Sequence, residues 1–174
     1  FGSILAKGLP AFFFFFMTVP VYFDPTLIDA GPKPVQASGE TPAHFQERYI
    51  EWQTKMGMVD WDALIVNGLI AKDPSLASKR DDLSSLYTSS ESYRLRDMVF
   101  KDPSLIGKRE DIKFLADANV DVWLTGKIDR SLPDDQQQLS PEVRQLADQL
   151  EKNGVLTHSF NTNIFTNPDS RSSP

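Results

Sequence analysis

An uncharged, phenylalanine-rich segment near the N-terminus limits the folds open to this chain more than any other feature. Residues 9–23 read LPAFFFFFMTVPVYF and contain five consecutive phenylalanines, which are Phe12, Phe13, Phe14, Phe15 and Phe16. As a helix these residues would extend about 22 Å, at about 1.5 Å per residue. Counting back to Ile4, with Lys7 reaching toward the headgroups, gives roughly the twenty residues that a membrane-spanning helix needs. We therefore predict a transmembrane or membrane-buried helix within residues 1–23.

Two other interpretations of this segment stay open. It could be a cleavable signal, with Lys7 as its basic region and a processing site at residues 35–37, which read Val-Gln-Ala. It could also be an apolar segment that is buried against partner proteins. The stretch before the processing site is long and acidic for a signal, which favours a retained anchor. Lys7 before the run, with Asp24 and Asp29 after it, predicts that the N-terminus lies on the cytoplasm-like side of the membrane and the remaining domain on the opposite side.

The overall charge and the absence of cysteine exclude several classes of function. The formal net charge is -6 and the pI is about 4.9, which argues against a nucleic-acid-binding protein because phosphate neutralisation needs clustered lysine and arginine. The chain contains no cysteine. It therefore has no disulfide, no cysteine-ligated zinc or iron–sulfur site and no cysteine nucleophile.

The remainder of the chain predicts helices. Residues 24–41 are rich in proline and glycine and predict a linker, whereas residues 42–160 predict a helical domain. Thr41 is a good N-cap and Pro42 suits the first position of a helix that ends near Gly57. One face of this helix is aromatic and apolar, formed by Phe45, Tyr49, Trp52 and Met56. A second helix is predicted from Asp60 to Lys72, because Pro74 disfavours helix at the residue before it.

An internal repeat lies within this domain. Residues 72–86 read KDPSLASKRDDLSSL and residues 101–115 read KDPSLIGKREDIKFL, with nine of fifteen positions identical. Each copy begins with an Asp-Pro corner, in which the aspartate caps a helix and the proline takes its first position. We therefore predict a duplicated helix–KDP–helix unit. The residues expected to face its core are Leu76, Leu83, Leu86, Leu105, Ile112 and Leu115.

The C-terminal part has a weaker pattern. Residues 119–124 could form a short strand or an irregular end, and residues 127–138 predict a loop. Ser140 and Pro141 predict the start of another helix, whose inner face is formed by Leu139, Val143, Leu146, Ala147 and Leu150. Residues 161–174 predict a flexible tail. Together the patterns predict an all-α fold, in which a Phe-rich membrane-associated helix precedes a small helical bundle.

No sequence motif indicates catalysis or a metal site. His44 and His158 each lack a second histidine at metal-ligand spacing, and no nucleophile elbow, Walker loop or dinucleotide-binding glycine motif is present. We therefore predict a non-enzymatic protein with no catalytic residue, no metal, no intrinsic cofactor and no small-molecule substrate. An enzyme with a dispersed carboxylate site is the less favoured alternative. The aspartates are scattered along the predicted helices and loops, and their spacing does not indicate a paired acid–base site.

The layout resembles that of a known group of membrane-complex subunits. The phenylalanines at 12–16, the Val-Gln-Ala sequence at 35–37 and the acidic domain that follows resemble the small nuclear-encoded subunits beside the chlorophyll–carotenoid antennae of red-lineage algal photosystems. The resemblance implies a non-catalytic accessory or linker subunit with photosystem and antenna proteins as partners. It also implies location in an organellar membrane, the plastid thylakoid, with the C-terminal domain on the lumenal side. It implies chlorophyll or carotenoid contacts at Phe12, Phe13, Phe14, Phe15, Phe16 and His44. A supernumerary subunit of a mitochondrial respiratory complex and a soluble lumenal binding module are the alternatives.

Overall fold

A three-stranded antiparallel sheet accompanies the helices, so the predicted all-α fold is wrong. The computed structural model describes residues 13–160. Its strands, in the sheet order β2-β1-β3, are β1 (Phe13–Tyr22), β2 (Arg109–Leu115) and β3 (Leu156–Phe160). Its α-helices are α1 (Pro42–Gly57), α2 (Trp61–Lys72), α3 (Arg80–Leu83), α4 (Ser90–Lys101), α5 (Ala118–Thr125) and α6 (Pro141–Lys152).

Phe13 to Phe16 of the phenylalanine run lie in the central strand of the sheet. Phe13 to Met17 of β1 pair with Phe160 to Leu156 of β3 in antiparallel register. Phe15, Phe16 and Met17 are 4%, 2% and 0% exposed, so side chains on both faces of the strand are buried. A strand covered on both faces is apolar without interruption, and aromatic residues favour the extended backbone. The same composition that suits a bilayer therefore also suits the middle of a sheet.

This strand replaces the predicted membrane helix over residues 13–22. Within residues 13–160, no helix combines the length and apolar character needed to cross a membrane. This finding contradicts both the predicted transmembrane helix and the predicted organellar-membrane location with a lumenal C-terminal domain. Phe12, the remaining residues of the predicted segment before it, and the predicted tail at 161–174 lie outside the described residues.

The described residues divide into two compact units. The first unit contains residues 13–19, 79–88 and 112–160, and the second contains residues 20–78 and 89–111. In the first unit, α6 packs against α5, α3 and β3. In the second, α2 packs against α4.

The predicted starts of α1, α2 and α6 are confirmed, because side-chain caps fix them. The Thr41 side chain accepts a hydrogen bond from the His44 N–H at 3.1 Å, and the Asp60 side chain accepts one from Ala63 N–H at 3.1 Å. The Ser140 hydroxyl accepts one from Val143 N–H at 3.3 Å at the start of α6. Each bond satisfies a backbone donor that the first turn of a helix leaves without a partner.

Residues 119–124 belong to a helix, not to the short strand or irregular end considered above. Asp117 caps α5 by accepting from Asn119 N–H at 2.8 Å, and Gly126 ends the helix at a φ of 77°. One turn into α5, the Asp121 carboxylate accepts a hydrogen bond from the Phe15 N–H at 2.8 Å. The helix thus supplies an acceptor to the central strand, and both partners belong to the first unit.

The two repeat copies begin alike and then diverge. Asp73 accepts hydrogen bonds from the N–H and hydroxyl of Ser75, and Asp102 does the same with Ser104. The helices that precede these corners, α2 and α4, pack against each other. After the corner the first copy continues as short helices up to Leu86, whereas the second copy enters β2. The predicted second helix of the second copy is therefore wrong.

The expected core positions of the repeat are almost all buried, despite this divergence. The structure buries five of them, which are Leu76, Leu83, Leu86, Leu105 and Ile112. Leu115 is half-buried at the end of β2. The hydrophobic pattern thus identified the inward side chains correctly, although it did not distinguish helix from strand.

Gly107 directs the second copy into the sheet. Its φ is 91°, in the region that favours glycine, and its N–H donates to the carbonyl of Phe23 at 2.7 Å. Replacing it with alanine (Gly107→Ala) should lower the free energy of unfolding by about 1–2 kcal/mol, since a Cβ at this φ is strained. Ser78→Ala, at the equivalent position of the first copy, should be nearly neutral. Urea denaturation measures both, and equal losses would show that the backbone at Gly107 is not the cause.

Candidate functional site

A buried carboxylate fixes the irregular segment before α1. Two nitrogens of Arg48, Nε and Nη2, donate to the two oxygens of Glu40 at 2.7 and 2.8 Å, and the Ala37 N–H donates to the same carboxylate at 2.9 Å. Arg48 also donates to the carbonyl of Val35 at 2.9 Å. The Glu40 side chain is only 7% exposed. A bidentate pair of this kind sets orientation as well as distance, so residues 35–40 are held against α1.

The hydrogen bonds from Arg48, and then from Ala37, lower the pKa of Glu40 from 4.5 to about 2. Because the folded pKa lies below the unfolded one, the carboxylate stabilises the fold above about pH 4.5 and loses this effect as the pH falls toward 2. The stability difference between the wild type and Glu40→Gln should therefore shrink over that interval. Urea unfolding at pH 6, 4 and about 2.5 measures it. A difference that does not change with pH would contradict this role of Glu40.

Trp52 fixes the neighbouring part of the same segment. Its indole Nε1 donates to the carbonyl of Gly31 at 3.2 Å, and its ring lies 5.2 Å from that of Phe100 on α4. Lys33 Nζ donates to the Phe100 carbonyl at 2.9 Å and lies 6.0 Å from the Trp52 ring centroid. Trp52 itself is 4% exposed. Residues 31–33 are therefore attached to both α1 and α4, within the second unit.

Next to this fixed segment lies an open cavity of about 590 Å³, here named the corner groove. One wall is Leu27 with residues 29–31, and the other is Lys55, Met58 and Val59 at the end of α1. The volume lies within the about 300–1,000 Å³ typical of ligand pockets. The groove therefore has enough room for several side chains of a bound molecule.

The lining of the corner groove combines apolar side chains with one charge of each sign. Met58 is 80% exposed, the most exposed of the large apolar side chains in the described residues. Asp29 and Lys55 also line the groove, and no ion pair joins these two side chains. An adaptable methionine beside two available charges suits contact with a mixed, peptide-like surface.

The structure distributes the residues predicted as pigment contacts over its two compact units. Phe15 and Phe16 are buried, Phe14 is half-buried and Phe13 is 47% exposed. They belong to the first unit, whereas His44 belongs to the second, where its exposed ring contacts Glu40. The predicted pigment contacts stay a prediction for these residues, and Phe12 lies outside the described residues.

Sequence reasoning missed two features of these regions. His158 on β3 stacks on Phe15 with ring centroids 4.7 Å apart, since the strand register places the two residues opposite each other. The corner groove was also missed, because its lining residues come from two segments, 27–31 and 55–59, that are distant in sequence.

Within residues 13–160, no group of three or more metal-ligating side chains is positioned to hold a metal ion.

The family of the chain follows from its match to a known sequence profile. Residues 1–134 match the profile described as Domain of unknown function (DUF3333), which is more than half of the chain. The chain belongs to the DUF3333 family. No curated protein and no solved structure matches it significantly. The family description contains no reference to photosystems or antennae, so the resemblance to photosystem subunits stays a prediction.

Proposed function

We propose that this chain is a non-catalytic binding module whose corner groove takes a short segment of a partner protein. The observation that carries the proposal is the exposure of Met58, at 80%, on the wall of a groove that has the volume of a binding site. Large apolar side chains with this exposure contribute little to folding, but they gain free energy when a partner covers them.

Preorganisation of the groove supports the proposal. Trp52 donates to the carbonyl of Gly31, and the adjacent Lys33 donates to the carbonyl of Phe100, so the wall that contains Gly31 is fixed before any partner binds. A fixed wall lowers the conformational entropy that is lost on binding.

The charges of the groove define the partner segment. Asp29 and Lys55 favour a segment that carries one basic and one acidic side chain around an apolar residue that covers Met58. This chemistry agrees with an accessory subunit that contacts other proteins, which is the broader class predicted from the sequence.

The test compares two variants that place an aspartate at equally exposed positions of the second unit. Met58→Asp changes the groove, whereas Val35→Asp changes a side chain of 79% exposure that does not line it. A peptide is first selected from a random display library for binding to the wild-type chain. This peptide should bind the Met58→Asp variant at least about tenfold more weakly than the wild type, as expected for loss of a central contact. Val35→Asp should bind it like the wild type. Failure to select any peptide, or equal losses in both variants, would reject the proposal.

A further inference from the structure

A second, smaller cavity lies in the same unit and shares no lining residue with the corner groove. Its volume is about 140 Å³, and it is lined by Tyr22, Asp24, Asn67, Gly68, Ala71 and Arg109. This exceeds the about 30 Å³ that one water occupies, but it is below the about 300 Å³ at which drug-sized ligand pockets begin. The cavity therefore suits a molecule of only a few heavy atoms. We name it the Arg109 pocket.

Two opposite charges line the Arg109 pocket and are held separately. The Asp24 carboxylate accepts from the N–H and the hydroxyl of Thr26 at 2.9 and 2.7 Å, which positions it within its own turn. The Arg109 guanidinium lies 5.2 Å from the centroid of the Tyr22 ring. Within the described part of the chain, Arg109 forms no ion pair with Asp24 or with any other carboxylate.

A guanidinium with free donors matches a carboxylate, and a carboxylate matches an ammonium group. A simple carboxylate ligand would leave Asp24 without a role, and a multiply charged phosphate would be repelled by it. A zwitterionic ligand can place its negative group on Arg109 and its positive group on Asp24 at the same time. The Tyr22 ring and Ala71 leave apolar surface for a short side chain.

We propose that the Arg109 pocket binds a small free α-amino acid, with its carboxylate on Arg109 and its ammonium group directed to Asp24. The Asn67 side chain, which also lines the pocket, can supply a further hydrogen bond to the ligand. This inference does not depend on the function proposed for the corner groove, since the two cavities share no lining residue.

The experiment is an NMR titration of the ¹⁵N-labelled full chain with L-alanine, acetate and methylammonium as separate probes. L-alanine should give saturable shifts at Gly68, Ala71 and Arg109, and it should bind at least about tenfold more tightly than either single-charge probe. Arg109→Gln and Asp24→Asn should each weaken L-alanine binding at least about tenfold. The asparagine variant keeps an acceptor for Thr26, so the turn is retained.

Arg80→Gln is the matched control, because it removes the same charge from an exposed position outside the pocket. It should leave the affinity for L-alanine unchanged. The proposal is overturned if the pocket residues show no saturable shift. It is also overturned if acetate binds as well as L-alanine, or if Arg80→Gln weakens binding as much as Arg109→Gln does.

Discussion

Phe16→Ala should lower the free energy of unfolding by about 3–5 kcal/mol, the range seen when a buried phenylalanine is truncated. Phe16 is 2% exposed in the central strand, and the ammonium group of Lys113 lies 4.6 Å from its ring centroid. Truncation would leave a cavity in the first unit and remove this contact with β2. Urea denaturation, followed by far-ultraviolet circular dichroism, measures the loss.

Phe13→Ala is the control for this prediction, because it makes the same substitution three residues earlier in the same run. Phe13 is 47% exposed, so its truncation should cost about 1 kcal/mol or less. A membrane segment would show no such difference between neighbouring phenylalanines. Equal losses at the two positions would mean that the run does not form the buried strand described here.

Trp52→Ala should lower the stability of the second unit by about 3–5 kcal/mol and also loosen one wall of the corner groove. The substitution removes the indole that donates to Gly31 and the ring that packs on Phe100. Hydrogen exchange should therefore become faster at the amides of residues 27–33. Affinity for a groove-binding peptide should fall as well, because the wall would have to be ordered on binding.

Trp123→Ala provides the matched control in the first unit. Trp123 is 7% exposed, donates to the Asp148 carboxylate at 3.0 Å and has the Arg130 guanidinium 4.1 Å from its ring centroid. Its truncation should cost a similar free energy, but it should accelerate exchange at residues 127–138 and not at 27–33. If both variants accelerate exchange at 27–33 equally, Trp52 has no specific role in the groove wall.

The starts of α1, α2 and α6 could be predicted from the sequence because their signals are local. Thr41, Asp60 and Ser140 cap helices at the predicted positions, and the apolar spacing in α6 buries Val143, Leu146, Ala147 and Leu150. Cap chemistry and side-chain periodicity act within a few residues, so they are visible without the tertiary structure.

The sheet could not be predicted in the same way, because the strands that form it are distant in sequence. An unbroken apolar run has the same composition in a bilayer and in a strand that is buried on both faces. Phe16 belongs to a strand that pairs with β3, more than a hundred residues later in the chain. Likewise, the second repeat copy becomes a strand beside β1, which lies more than eighty residues earlier in the chain.

The candidate site was harder still to predict. Leu27, Asp29, Lys55 and Met58 carry no motif, and their significance lies in the groove that the folded segment creates. Met58 follows Gly57 at the end of α1, where the sequence gives no indication that its side chain is 80% exposed. The low pKa of Glu40 also depends on Arg48, eight residues away on the next helix.

The most direct test of the proposed function is to map where a selected peptide binds. Backbone and methyl NMR shifts of the labelled chain, recorded with increasing peptide, report each residue that the peptide contacts. We expect the largest shifts at residues 27–31 and 55–59, with a strong change at the Met58 methyl group. Large shifts elsewhere, with the corner groove unchanged, would contradict it.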